Sequence, residues 1–127
     1  AFADLVRSFP ADTPVHFPVE TRQKAERFRA IAVAFDLNLV VRESAQSDAL
    51  LRKSMAEGKQ VSRIVFDGAT QKDRLENARA IAKRSRGKAR VCPAIASTIL
   101  KATKKVKCGQ CTLCARADVT AILYPQH

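Results

Sequence analysis

The stretch Val61–Cys92, VSRIVFDGATQKDRLENARAIAKRSRGKARVC, decides how this chain folds. Val61–Phe66 is a short run rich in β-branched and apolar residues, and the turn dipeptide Asp67-Gly68 ends it. Thr70, with Asp73 three residues later, resembles a capping box. From there Leu75, Ala78, Ile81 and Ala82 recur at helical spacing to about Ser85. After Gly87 the segment Ala89–Cys92 reads as another strand. Strand, helix-length link and strand favour parallel pairing, because only a long connection returns the chain to the end of the sheet from which it started.

The same alternation extends in both directions. Upstream, Pro14–Glu20 (PVHFPVE) leans towards a strand, which Pro18 confines to a sheet edge or a strand end. Thr21 caps a helix to about Phe35, with Ala25, Phe28, Ala32 and Phe35 on one face. Leu37–Glu43 (LNLVVRE) is a second strand, and Ser47 caps a helix that turns Leu50, Leu51 and Met55 inward and ends at Gly58. Downstream, Pro93 opens a short helix to about Ala102, a basic linker spans Thr103–Lys107, and Val119–Tyr124 forms a last strand stopped by Pro125.

The expected fold is therefore α/β: a small single domain over residues 1–127, with a mostly parallel sheet, alternating helices and a C-terminal four-cysteine metal loop. That loop belongs to a cysteine-rich subregion, 88–127. A chain of 127 residues suits one compact unit, and 46% hydrophobic content argues against disorder. No apolar run reaches membrane-spanning length and no secretory signal stands ahead of the cysteines, so a soluble, cytoplasmic protein is expected.

All four cysteines fall late, at Cys92, Cys108, Cys111 and Cys114, spaced C-x15-C-x2-C-x2-C. Two-residue spacers let the backbone curl and aim successive sulfurs at one point, which suits a soft metal centre. Disulfides fit less well, since they need an oxidising compartment and demanding geometry. Three ligands from one run plus one from outside favour a [4Fe–4S] cluster. Structural zinc, which prefers paired knuckles, is the alternative, with His16 and His127 as spare ligands. His16, beside Phe17 on a predicted strand, otherwise reads as a packed or edge histidine.

Charge follows the cysteines. Residues 1–78 carry 12 Lys/Arg against 11 Asp/Glu, whereas residues 79–127 carry 11 Lys/Arg against a single acid, Asp118. Four thiolates around zinc or a cubane core leave about −2, which offsets little of that excess. Nucleic acid, DNA or RNA, is the commonest partner for such a surface, and an acidic protein is the alternative. The expected contacts are Lys83, Arg84, Arg86 and Lys88 at the helix end, with Lys104, Lys105 and Lys107 beside the cysteines. Aromatic residues are sparse there, which argues against base stacking.

Glu20, Glu43 and Asp67 each fall at the C-terminal end of a predicted strand, the edge where open parallel sheets bind ligands. Three carboxylates meeting there would hold Mg²⁺ for phosphodiester chemistry. The competing reading is that each caps the next helix or solvates a turn.

The elements Val91-Cys92-Pro93, Cys108-Gly-Gln-Cys111-Thr-Leu-Cys114 and Ala121-Ile-Leu-Tyr124, with His127 at the end, resemble the tail of an uncharacterised phage-encoded cysteine-rich family. That family pairs an α/β body with a C-terminal C-G-x-C-x-L-C element and is distantly similar to radical-SAM-type iron–sulfur proteins. The resemblance covers about residues 91–127. It implies a cluster at the four cysteines and a phage or mobile-element origin, with a bacterial host cytoplasm or a virion as location. Three functions follow as expectations: a metal-centred nucleic-acid-binding module, an iron–sulfur redox or radical enzyme, and a phage structural or host-interaction protein whose cysteines only staple a small fold. A radical-SAM cluster uses three cysteines and leaves one iron open, so four competent ligands argue against the radical variant.

Overall fold

Hydroxyl side chains set the starts of the three long helices. In a computed structural model, which describes residues 2–9, 14–107, 111, 113–116 and 118–126, Thr21, Ser47 and Thr70 accept from the N–H of Lys24, Leu50 and Asp73 at 3.2, 3.1 and 3.1 Å. Each such cap satisfies an otherwise orphaned donor and contributes about 1 kcal/mol. The helices they open are α2 (Arg22–Ala34), α3 (Asp48–Ala56) and α4 (Gln71–Arg84). They alternate with β1 (Val15–Val19), β2 (Leu39–Ser44), β3 (Val61–Val65) and β4 (Ala89–Val91). Gly68 links β3 to α4 at φ +130°, where a Cβ would lie 2.7 Å from the Arg74 nitrogen, so only glycine fits. After β4 come a short α5 (Pro93–Ile99), a single 3₁₀ turn (Leu113–Ala115) and β5 (Ala121–Pro125).

All five strands pair in parallel, in the order β1-β2-β3-β5-β4. This is the expected α/β sheet, with every pair parallel. Side chains alternate across it. On one face Ala45, Val61, Val65, Ala89, Ala121 and Leu123 pack with Leu51 and Ala78, contributed by α3 and α4. Val19 and Val41 on the same face pack with Ala25 of α2. On the other face Ile122 and Tyr124 meet Cys92, Ile95, Leu113, Cys114 and Val119. The chain advances from β1 to β4 with its helices on the first face, then steps back to insert β5 by way of the second. Reversing both the direction and the face keeps the crossover hand unchanged.

Several details depart from the expected ones. α1 (Phe2–Arg7), which the pattern did not announce, is docked by Phe2 against Phe17 and Phe28 at centroid distances of 5.1 and 5.4 Å. Leu50 is 46% exposed although it was expected inside; Leu51, also expected there, is buried. α5 ends at Ile99, not near Ala102, and Lys101 at φ 51° turns the chain away. Pro125 continues β5 rather than stopping it. Ala121 N–H and Leu123 C=O bond to Lys88 and Cys92 on the β4 side, so the missing Pro125 N–H falls on that same side, beyond the end of β4. Among the described residues no helix is long and apolar enough to cross a membrane.

One row of paired residues, Val19, Glu43, Val61, Ala121 and Ala89, crosses the whole sheet. Glu43 is the charged member and is only 3% exposed. Its carboxylate accepts from Arg22 Nη2 at 2.9 Å and Ser54 Oγ at 2.7 Å, with Arg29 Nη1 at 3.9 Å. Burial alone would raise its pKa, but the hydrogen bonds from Arg22 and Ser54 and the charges of Arg22 and Arg29 outweigh it and hold it below the ordinary value. A carboxyl with the lower pKa in the fold binds fewer protons there than in the unfolded chain. The stability it supplies is complete above the unfolded value of about 4.3 and disappears as pH falls through the folded one. Urea unfolding from pH 7 to pH 3 should show this loss below about pH 5. Glu43→Gln should lower stability at pH 7 and flatten that acid limb; an unchanged limb would remove Glu43 as its source.

Candidate metal centre and basic surface

Cys92 follows β4 directly and is buried, packed against Val119 and Ile122. Pro93 then starts α5, its missing N–H costing nothing at the first helical position. Burial pushes the Cys92 thiol up, the N–H groups of Ile95 and Ala94 work against this, and the charges of Cys114 and Cys111 push it further up. Cys92, Cys111 and Cys114 are all free of disulfides. Cys108 and His127 lie outside the described residues. Among the described residues no group of three Cys, His, Asp or Glu side chains is arranged as ligands of an ion.

Cys114 sits on the 3₁₀ turn, with its Sγ 2.9 Å from the Tyr124 hydroxyl. Tyr124 reaches it from β5, and the phenol is held well above its usual range by burial and by the neighbouring Cys114. Beneath the turn lies Arg42, on β2 and 0% exposed. Its Nε donates to Cys114 O at 2.8 Å, Nη2 to Arg116 O at 2.9 Å and Nη1 to Thr120 O at 3.1 Å. Burial lowers the Arg42 pKa while Cys114 and Tyr124 favour its charge. An arginine keeps its proton under such shifts, so a fixed positive charge stands beside the thiols. The side chains at Cys114, a thiol, a phenol able to donate to it and an enclosed guanidinium, are of the types that surround a soft cation, but the described residues do not bring three ligands together.

His16 is not brought into this set. It lies on β1 near Arg42, whose charge together with the larger effect of burial lowers its pKa. Its Nε2 is buried with no hydrogen-bond partner among the described residues. A cleft of about 430 Å³ opens on the same face of the sheet, walled by Ser44, Ser62, Ile64, Ile95 and Tyr124. Tyr124 is thus shared between the cleft and the cysteines.

The three carboxylates proposed as a catalytic set do not converge. Glu43 pairs with Val61, the first residue of β3, while Asp67 follows the end of that strand. The five residues of β3, roughly 16 Å at ~3.3 Å each, lie between them. Glu20 and Asp67 are exposed, and Glu20 pairs with Lys24 at 3.7 Å. Glu43 is occupied by Arg22 and Ser54. The stagger between β2 and β3 was invisible in the sequence, where each acid simply ended a strand.

The seven expected phosphate contacts, Lys83, Arg84, Arg86, Lys88, Lys104, Lys105 and Lys107, are all exposed, as are Arg79, Arg90, Lys101 and Arg116. Arg116 forks onto Asp118 at 2.6 Å. The other ten form no ion pair among the described residues. The N-terminal part differs, since Arg22, Lys24, Arg29 and Arg63 each meet a carboxylate. Lys83 to Lys88 leave α4 and enter the edge strand β4; Lys104 to Lys107 follow α5 on the way to the cysteine turn.

No family model, curated protein or solved structure gives a match to this chain. Function therefore has to be argued from the site.

Sequence reasoning missed Arg42 and Tyr124. The signal for Arg42 was an arginine directly after the apolar run Leu39-Val40-Val41, inside a strand enclosed on both faces. Replacing it with Met keeps the volume but takes three hydrogen bonds from the carbonyls of residues 114, 116 and 120, of which 116 and 120 keep a backbone donor. Arg42→Met should cost about 3 kcal/mol or more in urea unfolding under reducing conditions, with hydrogen exchange around 114–121 accelerating first. A change within about 0.5 kcal/mol would mean that water replaces the guanidinium at no cost.

Proposed function

We propose that this chain is a basic, metal-centred protein of phage or mobile-element type that binds nucleic acid. In this reading Cys92, Cys108, Cys111 and Cys114 hold one centre, an iron–sulfur cluster in preference to zinc. Lys83, Arg84, Arg86, Lys88, Lys104, Lys105 and Lys107 contact phosphate. The observation that carries it is the coexistence of a Cys114 thiol held between Tyr124 and the Arg42 clamp with a set of exposed cations that form no ion pair among the described residues. A metal removes the repulsion between thiolates by binding them together. Phosphates neutralise the cations, which supplies affinity through counterion release.

The cleft beside Tyr124 favours a second reading, an iron–sulfur redox enzyme acting on a small molecule. A purely structural metal in a phage structural or host-interaction protein uses neither the cleft nor the cations.

Anaerobic purification with metal analysis and a visible spectrum tests the centre. Cys92→Ser should lower metal content and destabilise the C-terminal third, since metal binding and folding are coupled there. Full occupancy with unchanged stability would take Cys92 out of the site.

A gel-shift titration of the metal-loaded protein tests the partner. Affinity should fall steeply with salt, with a logarithmic slope of about −0.9 per phosphate contacted on duplex DNA. Neutral substitutions at Lys83, Arg84, Lys104 and Lys105 should weaken binding across all sequences and leave the fold intact. No detectable binding at low salt to duplex DNA, single-stranded DNA or RNA would sink this part of the reading and favour an acidic protein partner.

A further inference from the structure

Among the described residues, Tyr124 brings a hydroxyl from the sheet to a cysteine. It stands on β5, paired in register with Ile64 of β3, and its ring packs among Cys92, Ile95, Leu113 and Cys114. The 2.9 Å separation between its oxygen and Cys114 Sγ is a short contact for a sulfur hydrogen bond. In the metal-free protein either atom is able to donate. A thiolate bound to a metal has no proton, so the phenol becomes the sole donor and the sulfur the acceptor.

The rest of the surroundings prevents the pair from drifting apart. Arg42 grips the carbonyl of Cys114 itself at 2.8 Å, together with those of Arg116 and Thr120. The backbone that carries the sulfur is therefore tied to β2, and the backbone that carries the phenol is tied to β3 and β4. Both anchors belong to the central sheet, and neither depends on a metal being present.

We infer that Tyr124 is a positioning residue of the cysteine centre: its hydroxyl donates to the Cys114 thiolate, fixes that sulfur's direction and withdraws charge from it. This rests on the reading of the four cysteines as one metal site. A donor of this kind lowers the electron density on the sulfur, which weakens its covalency with the metal and raises the reduction potential of an iron–sulfur centre. It also orients the ligand before the metal arrives, and outer-shell partners of this type are worth about 10- to 100-fold in metal affinity.

Cobalt(II) is the probe, because its thiolate charge-transfer band reports the sulfurs whichever metal is resident. Titrated into the reduced apo-protein, wild type should develop that band. Tyr124→Phe removes only the oxygen. It should keep the fold, weaken cobalt binding by about 10-fold or more and shift the band to lower energy as Cys114 becomes a stronger donor. In the Cys114→Ala background, where no acceptor remains, the same substitution should have almost no effect, which a merely structural role for the phenol would not produce.

The failures are distinguishable. No charge-transfer band in wild type overturns the four-cysteine reading itself, and this inference with it. A normal wild-type band with unchanged affinity and band position in Tyr124→Phe overturns the role of Tyr124 and leaves the centre standing. A Tyr124→Phe effect that persists undiminished without Cys114 also overturns it, since the phenol then acts through packing.

Discussion

A buried guanidinium holds the C-terminal third of this protein to its sheet. Arg42 is fully enclosed and gives its Nε and both terminal nitrogens to carbonyls of residues 114, 116 and 120. Of those carbonyls, that of Thr120 also accepts from Val61 N–H and that of Arg116 from Val119 N–H, so Arg42 adds a second donor to each and meets the Cys114 carbonyl as well. Desolvating an arginine is costly, and the cost is offset only when its donors are well matched. Here the planar fork of the guanidinium meets three acceptors at once, which a lysine has no geometry to do. The thiol of Cys114 owes its place to this clamp.

Glu43 follows Arg42 in the chain and points the other way, since successive strand residues face opposite sides. It collects Arg22, Arg29 and Ser54 beneath the helices. Two adjacent buried charges thus organise two different layers: the carboxylate anchors the helical face, and the guanidinium anchors the cysteine face. On the helical side Arg22, Arg29 and Arg63 each meet an acid of the same domain. On α4's end, the edge strand and the run after α5 the cations are exposed and form no ion pair among the described residues.

That separation bears on what the protein is able to do. The cations that face solvent are available to a partner, whereas those that are buried are spent on architecture. The cysteines lie between the two classes. Cys92 is sealed by Val119 and Ile122, while Cys111 and Cys114 are half-buried. A centre in that position would brace the return from α5 to β5, the segment on which Lys104, Lys105 and Lys107 lie. Its chemistry and the shape of the basic surface would then be linked through one short stretch of backbone.

Local patterns in the sequence determined the helices and strands. Thr21, Ser47 and Thr70 cap where they were expected to, because a capping bond spans three residues and needs no distant partner. Parallel pairing was legible from the length of the links, and the spacing of the cysteines and the placement of the unpaired cations were legible directly. Three things depended on tertiary structure. The stagger of β2 against β3 pulled Glu43 away from Asp67, and register arises from packing between elements distant in the chain. The insertion of β5 between β3 and β4 put Tyr124 beside Cys114, a contact that no run of sequence displays. Finally, Arg42 reads in the sequence as one more basic residue at the end of an apolar strand. Only the assembled sheet, by closing over it and presenting three carbonyls more than 70 residues away in the chain, makes it the clamp on which the candidate site depends.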